Sequence, residues 1–132
     1  MKWLFALLPV LVWANGPQIR DLKSAETLPL KKVLTPQTVA IVFQSDCASC
    51  RVQINDLKCL EENSNIVLLG AFSSEKKLRK ELNKYQVKYP AYYADKDILN
   101  HLKITESATP QIIKIGLESS VRSIGRKKCS EI

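Results

Sequence analysis

The order of apolar segments predicts an α/β domain in which a mixed central sheet is flanked by helices. Buried-strand patterns at 39–43 and 65–72 are each followed by a segment with apolar residues at helical spacing. Two further strands, at 111–115 and 121–124, are separated by a short turn, which indicates an antiparallel hairpin. Strands that alternate with helices and then end in a hairpin give a sheet of mixed direction.

The remaining segments complete this layout. Residues 18–38 are polar, contain two prolines and are predicted to run over the surface, with a short extended piece at 27–34. Ser73 and Ser74 can cap a helix in which Leu78 and Leu82 face inward. The other predicted elements are a helix at 51–62, a short strand at 89–93, a helix at 95–102 and a short terminal helix.

The first fourteen residues have the composition of an export signal. Lys2 precedes an apolar stretch at 3–13, and the small residue Ala14 follows it. This arrangement predicts a signal peptide at 1–14, cleaved after Ala14, and a mature domain at 15–132. A retained anchor is less favoured because a bilayer span needs about 20 residues, and a buried N-terminal helix is the third alternative. We therefore predict a periplasmic or otherwise exported protein, whose cysteines meet oxidising conditions.

Composition limits the classes of partner. The chain has 132 residues and a net charge of +7, which falls to +6 when the segment carrying Lys2 is removed. That length suits one compact domain, which we predict to be a monomer. The basic residues are spread along the chain and are expected to be solvated, with an acidic partner or an anionic membrane as the alternative. Nucleic acid is not an expected partner, because no motif combines aromatic and basic residues.

The pair Cys47 and Cys50 lies where the strand at 39–43 gives way to the helix at 51–62. The unpaired N–H groups and the positive end of a helix dipole stabilise a thiolate at such a junction, which lowers the thiol pKa. A two-residue spacer lets the second thiol reach the first. The pair is therefore predicted to cycle between dithiol and disulfide.

Two other interpretations of this pair are weaker. A purely structural disulfide would close so small a loop that it would remove little chain entropy. A tetrahedral zinc site needs two more sulfur or nitrogen ligands, and Cys59 would lie about 13 Å further along a continuous helix. The only histidine, His101, is predicted to be a surface residue of a helix. We therefore expect neither a metal nor another cofactor.

This order of elements, with Cys-x-x-Cys at the first main strand-to-helix junction and Thr109-Pro110 before the hairpin, resembles the thioredoxin fold. Within that fold the sequence is most similar to the exported TlpA/ResA-like thiol-disulfide oxidoreductases. The matching segments are 27–30 with 39–43, 89–95 and 104–115, so that the resemblance covers residues 27–126.

The resemblance implies a role for each motif residue. Cys47 would be the attacking thiol and Cys50 the resolving thiol. Pro110 would be a cis-proline that sits against the disulfide, although cis bonds are only about 5–6 % of X-Pro bonds in folded proteins. Thr109 would offer backbone hydrogen bonds to an extended substrate peptide.

Three positions depart from the pattern that the resemblance implies. Asp46 stands where an aromatic residue usually precedes the first cysteine, and its negative charge should raise the pKa of the Cys47 thiol. Ile41 replaces the buried acid of thioredoxins proper, and Gln53 replaces the acid that follows the second cysteine in ResA-like members. No titratable residue is predicted to replace either acid.

Cys59 and Cys129 remain outside the motif. In a thioredoxin-like arrangement the first helix after the motif and the C-terminal helix lie on the same side of the sheet, so the two side chains can approach. A structural disulfide is the leading prediction. Two free, buried cysteines or a second redox pair are the alternatives.

The predicted function is that of an exported thiol-disulfide oxidoreductase, acting on protein disulfides as a reductase. Such a reductase needs a membrane electron donor in an oxidising compartment. The neutral Ala48-Ser49 spacer and Asp46 supply no positive charge, which favours a potential near the reducing value of about −270 mV. The alternatives are a dithiol oxidase, for whose usual helical insertion the chain has no room, and a non-catalytic binding module of the same fold.

Overall fold

The computed structural model describes residues 16–86 and 88–132, so the predicted signal peptide at 1–14 lies outside the described residues. Seven strands within these ranges form one sheet in the order β2-β1-β5-β4-β3-β6-β7. The central strands β3, β4 and β5 are parallel, while both edges are antiparallel. The strands are β1 (Gln18–Asp21), β2 (Thr27–Pro29), β3 (Thr38–Phe43), β4 (Asn65–Gly70), β5 (Ala91–Tyr93), β6 (Gln111–Ile115) and β7 (Ser120–Ile124). The predicted mixed sheet and terminal hairpin are confirmed.

The helices are short and cover both faces of the sheet. They are α1 (Leu30–Val33), α2 (Ala48–Asn55), α3 (Glu75–Leu82) and α4 (Lys96–His101), with 3-10 turns at Lys58–Leu60 and Cys129–Glu131. Ser74 caps α3 by accepting from the N–H of Lys77, and Asp95 caps α4 by accepting from the N–H of Ile98. No helix in the described part of the chain is long and apolar enough to cross a membrane.

Strand β3 packs against helices on both faces of the sheet. All six of its residues are buried, because helices cover both of its faces. Alternate side chains point to opposite faces. Ile41 and Phe43 pack with residues of α2 and α3, whereas Ala40 and Val42 pack with residues of α1 and α4. The carboxyl end of this central strand leads directly into the cysteine motif.

The N-terminal segment differs from its prediction. Gln18–Asp21 is a strand that pairs with both β2 and β5, rather than a surface connection. Its apolar content is low, but Ile19 and the following Leu22 are buried in the core, so tertiary packing stabilises the strand. The predicted extended piece at 27–34 is strand only as far as Pro29, and Leu30–Val33 forms one helical turn that buries its two apolar ends.

Helix α2 is shorter than its prediction. It ends at Asn55 instead of continuing to residue 62, and Asp56 caps its C-terminus. Asn and Asp favour caps and turns over helix interiors, which explains the break. Leu57 then turns into the core, and Cys59 lies in the 3-10 turn that follows. Cys59 and Cys50 therefore do not share one continuous helix, and the separation of 13 Å expected on that basis does not apply.

Candidate functional site

Cys47 and Cys50 lie at the start of α2, on the side of the sheet where β3 ends. Cys47 is the N-cap residue, and its Sγ accepts a hydrogen bond of 3.1 Å from the backbone N–H of Cys50. The two Sγ atoms are bonded to each other, with the Cα atoms 5.2 Å apart. Cys47 is 8 % exposed and Cys50 is fully buried. Cys47 is therefore the more exposed residue of the pair.

The loop before β6 faces Cys47. The Thr109–Pro110 peptide bond is cis. The Thr109 hydroxyl donates to Cys47 Sγ at 3.6 Å, and the Thr109 carbonyl oxygen lies 3.9 Å from the same sulfur. The fold thus brings together the four residues that the resemblance assigns to catalysis and to peptide binding.

Gln111 supports that loop and was not predicted from the sequence. It is fully buried, and its side-chain amide donates to the carbonyl oxygens of Glu106 (2.7 Å) and Ala108 (2.9 Å). Buried polar side chains are retained where they satisfy backbone groups. The amide therefore braces the turn that carries Thr109. Its place as the first residue of the strand that follows Pro110 is the only sequence signal for this role.

Gln53 fixes the C-terminal segment to the helix that begins at the cysteines. Its side chain is buried, donates to the Lys127 carbonyl oxygen at 3.0 Å, and accepts from the Lys127 N–H at 2.6 Å. An amide can make both bonds because it carries a donor and an acceptor, whereas a carboxylate cannot donate. Gln53 is therefore matched to a backbone partner at the position where the resemblance expects an acid.

Cys59 and Cys129 are also brought together. Their Sγ atoms are bonded, and their Cα atoms are 6.3 Å apart, within the range of about 7 Å that a disulfide can close. Cys59 is exposed and Cys129 is partly exposed, with the Cys129 Sγ 3.3 Å from the Asp56 carbonyl oxygen. The structural role of this bridge in solution stays a prediction.

A buried acid lies beside the motif, contrary to the expectation from the sequence. Glu81 of α3 is 1 % exposed, and its Oε1 accepts a hydrogen bond of 3.1 Å from the backbone N–H of Asp46. Its Oε2 lies 3.2 Å from Arg51 Nε, and Lys84 Nζ lies 3.5 Å from its Oε1. The signal that could have found Glu81 is its place three residues after Leu78, on the inward face of an amphipathic helix.

The side chain of Asp46, whose charge is predicted to raise the pKa of the Cys47 thiol, lies largely in solvent. Its side chain is 86 % exposed and lies 3.6 Å from Lys84 Nζ. Water and this cation screen its charge. Asp46 is therefore a weaker negative influence on the neighbouring thiol than the sequence indicates, and Glu81 is the acid held within the protein.

Tyr85 adjoins the same cluster. Burial, and then the negative charge of Glu81, raise the pKa of the Tyr85 hydroxyl well above its ordinary value, while Arg51 opposes the rise. Its ring packs edge-on against Phe43 of β3, with the ring centroids 5.7 Å apart. The hydroxyl therefore stays neutral throughout the physiological range.

Within the described residues, neither His101 nor the cysteines belong to a group that could hold a metal ion. His101 is exposed at the end of α4, as predicted. Across 16–86 and 88–132, no group of three or more His, Cys, Asp or Glu side chains is placed to hold a metal ion.

Neither a protein-family model nor a curated protein matches this chain, but solved structures do. DsbF from MTB superposes with a TM-score of 0.73 at 13 % identity, over 89 % of this chain and 90 % of its own. A secreted Mycobacterium tuberculosis disulfide oxidoreductase homologous to E. coli DsbE superposes with a TM-score of 0.66 at 9 % identity, over 86 % of this chain and 87 % of its own. A thioredoxin-related protein from Neisseria meningitidis serogroup B superposes with a TM-score of 0.67 at 12 % identity, over 86 % of this chain and 91 % of its own.

These similarities extend over nearly the whole described chain and over most of each neighbour. At such low identity they show the fold and nothing finer. The protein therefore has the thioredoxin-like fold of these solved structures, and it carries a Cys-x-x-Cys pair at the strand-to-helix junction of that fold.

Proposed function

We propose that the protein is a thiol-disulfide oxidoreductase that acts on protein disulfides, with Cys47 as the nucleophile and Cys50 as the resolving thiol. The observation that carries this proposal is the arrangement of the two sulfurs. Cys47 is the more exposed residue of the two, and its Sγ receives hydrogen bonds from the Cys50 N–H and the Thr109 hydroxyl. Donors aimed at a sulfur stabilise its thiolate, which is the reactive form.

The reaction follows from this arrangement. The Cys47 thiolate attacks one sulfur of the substrate disulfide, that bond breaks, and the departing sulfur takes up a proton. Cys50 then loses its proton and attacks the Cys47 sulfur of the mixed disulfide. The Cys47–Cys50 disulfide forms, and the second substrate thiol leaves. One dithiol is oxidised for each disulfide that is reduced.

The loop at Thr109 supports a peptide substrate. The Thr109 carbonyl oxygen lies 3.9 Å from Cys47 Sγ, at the end of the loop that leads into β6. An extended peptide whose cysteine is bonded to Cys47 passes this backbone and can pair with it by strand-like hydrogen bonds. Thr109 and Pro110 are therefore the proposed substrate-binding residues.

The proposed direction is reduction, in an exported monomeric protein that receives electrons from a membrane donor. Support for export is the composition of residues 1–14 and the even number of cysteines. Support for a reducing potential is the neutral Ala48-Ser49 spacer together with a buried carboxylate, Glu81, near the motif. The DsbE-like neighbour named above is described as secreted, which agrees with export of this chain.

Insulin reduction with dithiothreitol tests the activity. Wild-type protein should accelerate the reaction, and Cys47→Ser should reduce the rate to that of dithiothreitol alone, because the remaining motif thiol, Cys50, is buried and cannot attack the substrate. The matched control, Cys59→Ser with Cys129→Ser, should keep the wild-type rate. A wild-type protein that does not accelerate the reaction would instead indicate a non-catalytic binding module.

Equilibration against glutathione or dithiothreitol buffers tests the direction. A reductase is expected near the reducing value of about −270 mV. A measured potential close to the oxidising value of about −120 mV would favour a dithiol oxidase.

A further inference from the structure

We infer that Glu81 is a positioning residue for the Cys47–Cys50 turn, and that its carboxylate sets the reactivity of Cys47 from the neighbouring helix. This inference rests on the proposed function, because it concerns the same pair of thiols. Glu81 contacts the residues on both sides of the motif. It accepts the backbone N–H of Asp46, directly before Cys47, and pairs with Arg51, directly after Cys50.

The burial of Glu81 indicates that these contacts are specific. A buried carboxylate is costly unless charges and hydrogen bonds compensate it. Here one oxygen accepts a hydrogen bond of 3.1 Å from the Asp46 N–H and lies 3.5 Å from Lys84 Nζ. The other lies 3.2 Å from Arg51 Nε, as an ion pair without hydrogen-bond geometry. Its partners come from the loop after β3, from α2 and from the end of α3. The carboxylate therefore joins three segments that meet behind the cysteines.

The backbone conformation of Asp46 shows which part of the chain the Glu81 carboxylate holds. Asp46 has a φ of 56°, in the left-handed region that a residue other than glycine occupies uncommonly. This residue turns the chain from β3 into α2 and so sets where Cys47 emerges. The hydrogen bond from its N–H to Glu81 holds the unusual conformation in place.

Charge gives Glu81 a second effect on Cys47. The charged or titratable groups that face it are Arg51 on α2, Lys84 and Tyr85 after α3, and the exposed Asp46. Two cations thus balance two carboxylates, and Tyr85 is neutral. Removing the charge of Glu81 would leave the cations in excess beside the start of α2, where they would stabilise a thiolate on Cys47.

The rate of Cys47 alkylation by iodoacetamide, measured against pH on the reduced full chain, separates this effect from a merely structural one. Glu81→Gln keeps an oxygen for the Asp46 N–H but removes the charge, so the midpoint of the profile should move to lower pH by about half a unit or more. Arg51→Met and Lys84→Met should each move it to higher pH. Glu75→Gln, a control at the start of the same helix whose carboxylate pairs with Arg20 and Arg79 instead, should leave it unchanged.

The hydrogen bond is tested through the amide of Asp46. Its hydrogen exchange should remain slow in Glu81→Gln and become faster in Glu81→Leu, which removes the acceptor as well as the charge. If Glu81→Gln does not fold, the pH profiles of Cys47 alkylation in Arg51→Met and Lys84→Met test the electrostatic effect.

Two results would overturn the inference. One is a folded Glu81→Gln protein whose profile superimposes on that of the wild type, and the other is a pair of cation variants without any shift. Alkylation needs no protein substrate, so these outcomes are independent of insulin reduction. A protein that fails to reduce insulin but shows the shifts would lose the proposed enzyme function and keep this role of Glu81.

Discussion

The two cysteine pairs occupy opposite kinds of environment on the same side of the sheet. Cys47 and Cys50 are three residues apart, buried, and surrounded by hydrogen-bond donors at the start of α2. Cys59 and Cys129 are 70 residues apart and join two exposed 3-10 turns. A chain-entropy estimate gives about 2 kcal/mol for closing the short loop and about 4 kcal/mol for the long one. The first pair is therefore suited to opening and closing, and the second to restraining the chain.

The restrained segment explains why a second bridge is useful. The residues after Gly125 form no strand and only one short 3-10 turn. Ile132 is the hydrophobic residue of this tail that packs against the core, and the other contacts are polar. The tail cannot bury enough apolar surface to dock strongly by itself. The Gln53 amide and the Cys59–Cys129 bridge hold it against α2.

The largest effect on stability is expected from removing the second bridge. Cys59→Ser with Cys129→Ser should lower the free energy of unfolding by about 4 kcal/mol, because the unfolded chain regains the freedom of the long loop. Urea denaturation of the oxidised proteins measures this change. Cys47→Ser with Cys50→Ser is the matched control and should cost less, by roughly half. If removing either bridge lowered the free energy of unfolding equally, the Cys59–Cys129 bridge would not restrain the chain more than the Cys47–Cys50 bridge does.

A smaller effect is expected at Gln53. Gln53→Glu keeps the size of the side chain but cannot donate to the Lys127 carbonyl oxygen, so stability should fall by about 1–3 kcal/mol. The same change restores an acid at the position where the ResA-like pattern has one.

Denaturation and insulin reduction together show which role of Gln53 dominates. We expect lower stability with an insulin-reduction rate within a few fold of the wild type, because the tail and not the cysteine pair loses a contact. Gln44→Glu, at a half-buried position directly after β3, is the control for adding a charge near the motif. Unchanged stability in Gln53→Glu would show that the amide does not hold the tail.

The sequence predicts best what short-range patterns determine. Strands β3 and β4 and the position of both motif cysteines follow from apolar runs and from the start of a helical pattern. Strand β1 was missed because only Ile19 is buried within it, and its pairing with β5 joins residues far apart in the chain. Glu81 was missed for a related reason. Its helical face is predictable, but its contact with the Asp46 N–H depends on how α3 packs beside α2.

Gln53 is a second residue whose contact in the fold could not be predicted from the sequence. Its position after the second cysteine identifies it as a departure from the ResA-like pattern, but its partner, Lys127, lies 74 residues away. No local pattern relates these two residues. Pairing of Cys59 with Cys129 was the leading prediction only because the resemblance places two helices on one side of the sheet.

The smallest effect is expected at high pH, from Tyr85. Its raised pKa means that the fold favours the neutral hydroxyl, whereas the unfolded chain ionises near the ordinary value of about 10. Above that pH, unfolding releases a proton, so stability should fall as the pH rises toward the folded pKa, by at most about 1.4 kcal/mol per pH unit for this one group. Below about pH 9 the contribution should be constant. Tyr85→Phe should reduce the fall of stability with pH by the contribution of one ionisable group. The urea midpoint, measured between pH 8 and 11, reports this change.

Tyr92→Phe is the comparison variant, because the pKa of Tyr92 is also raised by burial, but it packs on the opposite face of the sheet from the cysteine pair. Both variants should flatten the alkaline slope. Only Tyr85→Phe should also change the alkylation profile of Cys47, since Tyr85 packs in the same core cluster as the two motif cysteines and adjoins Glu81. An alkaline slope that is the same in Tyr85→Phe as in the wild type would show that the pKa of this hydroxyl does not differ between the folded and the unfolded chain.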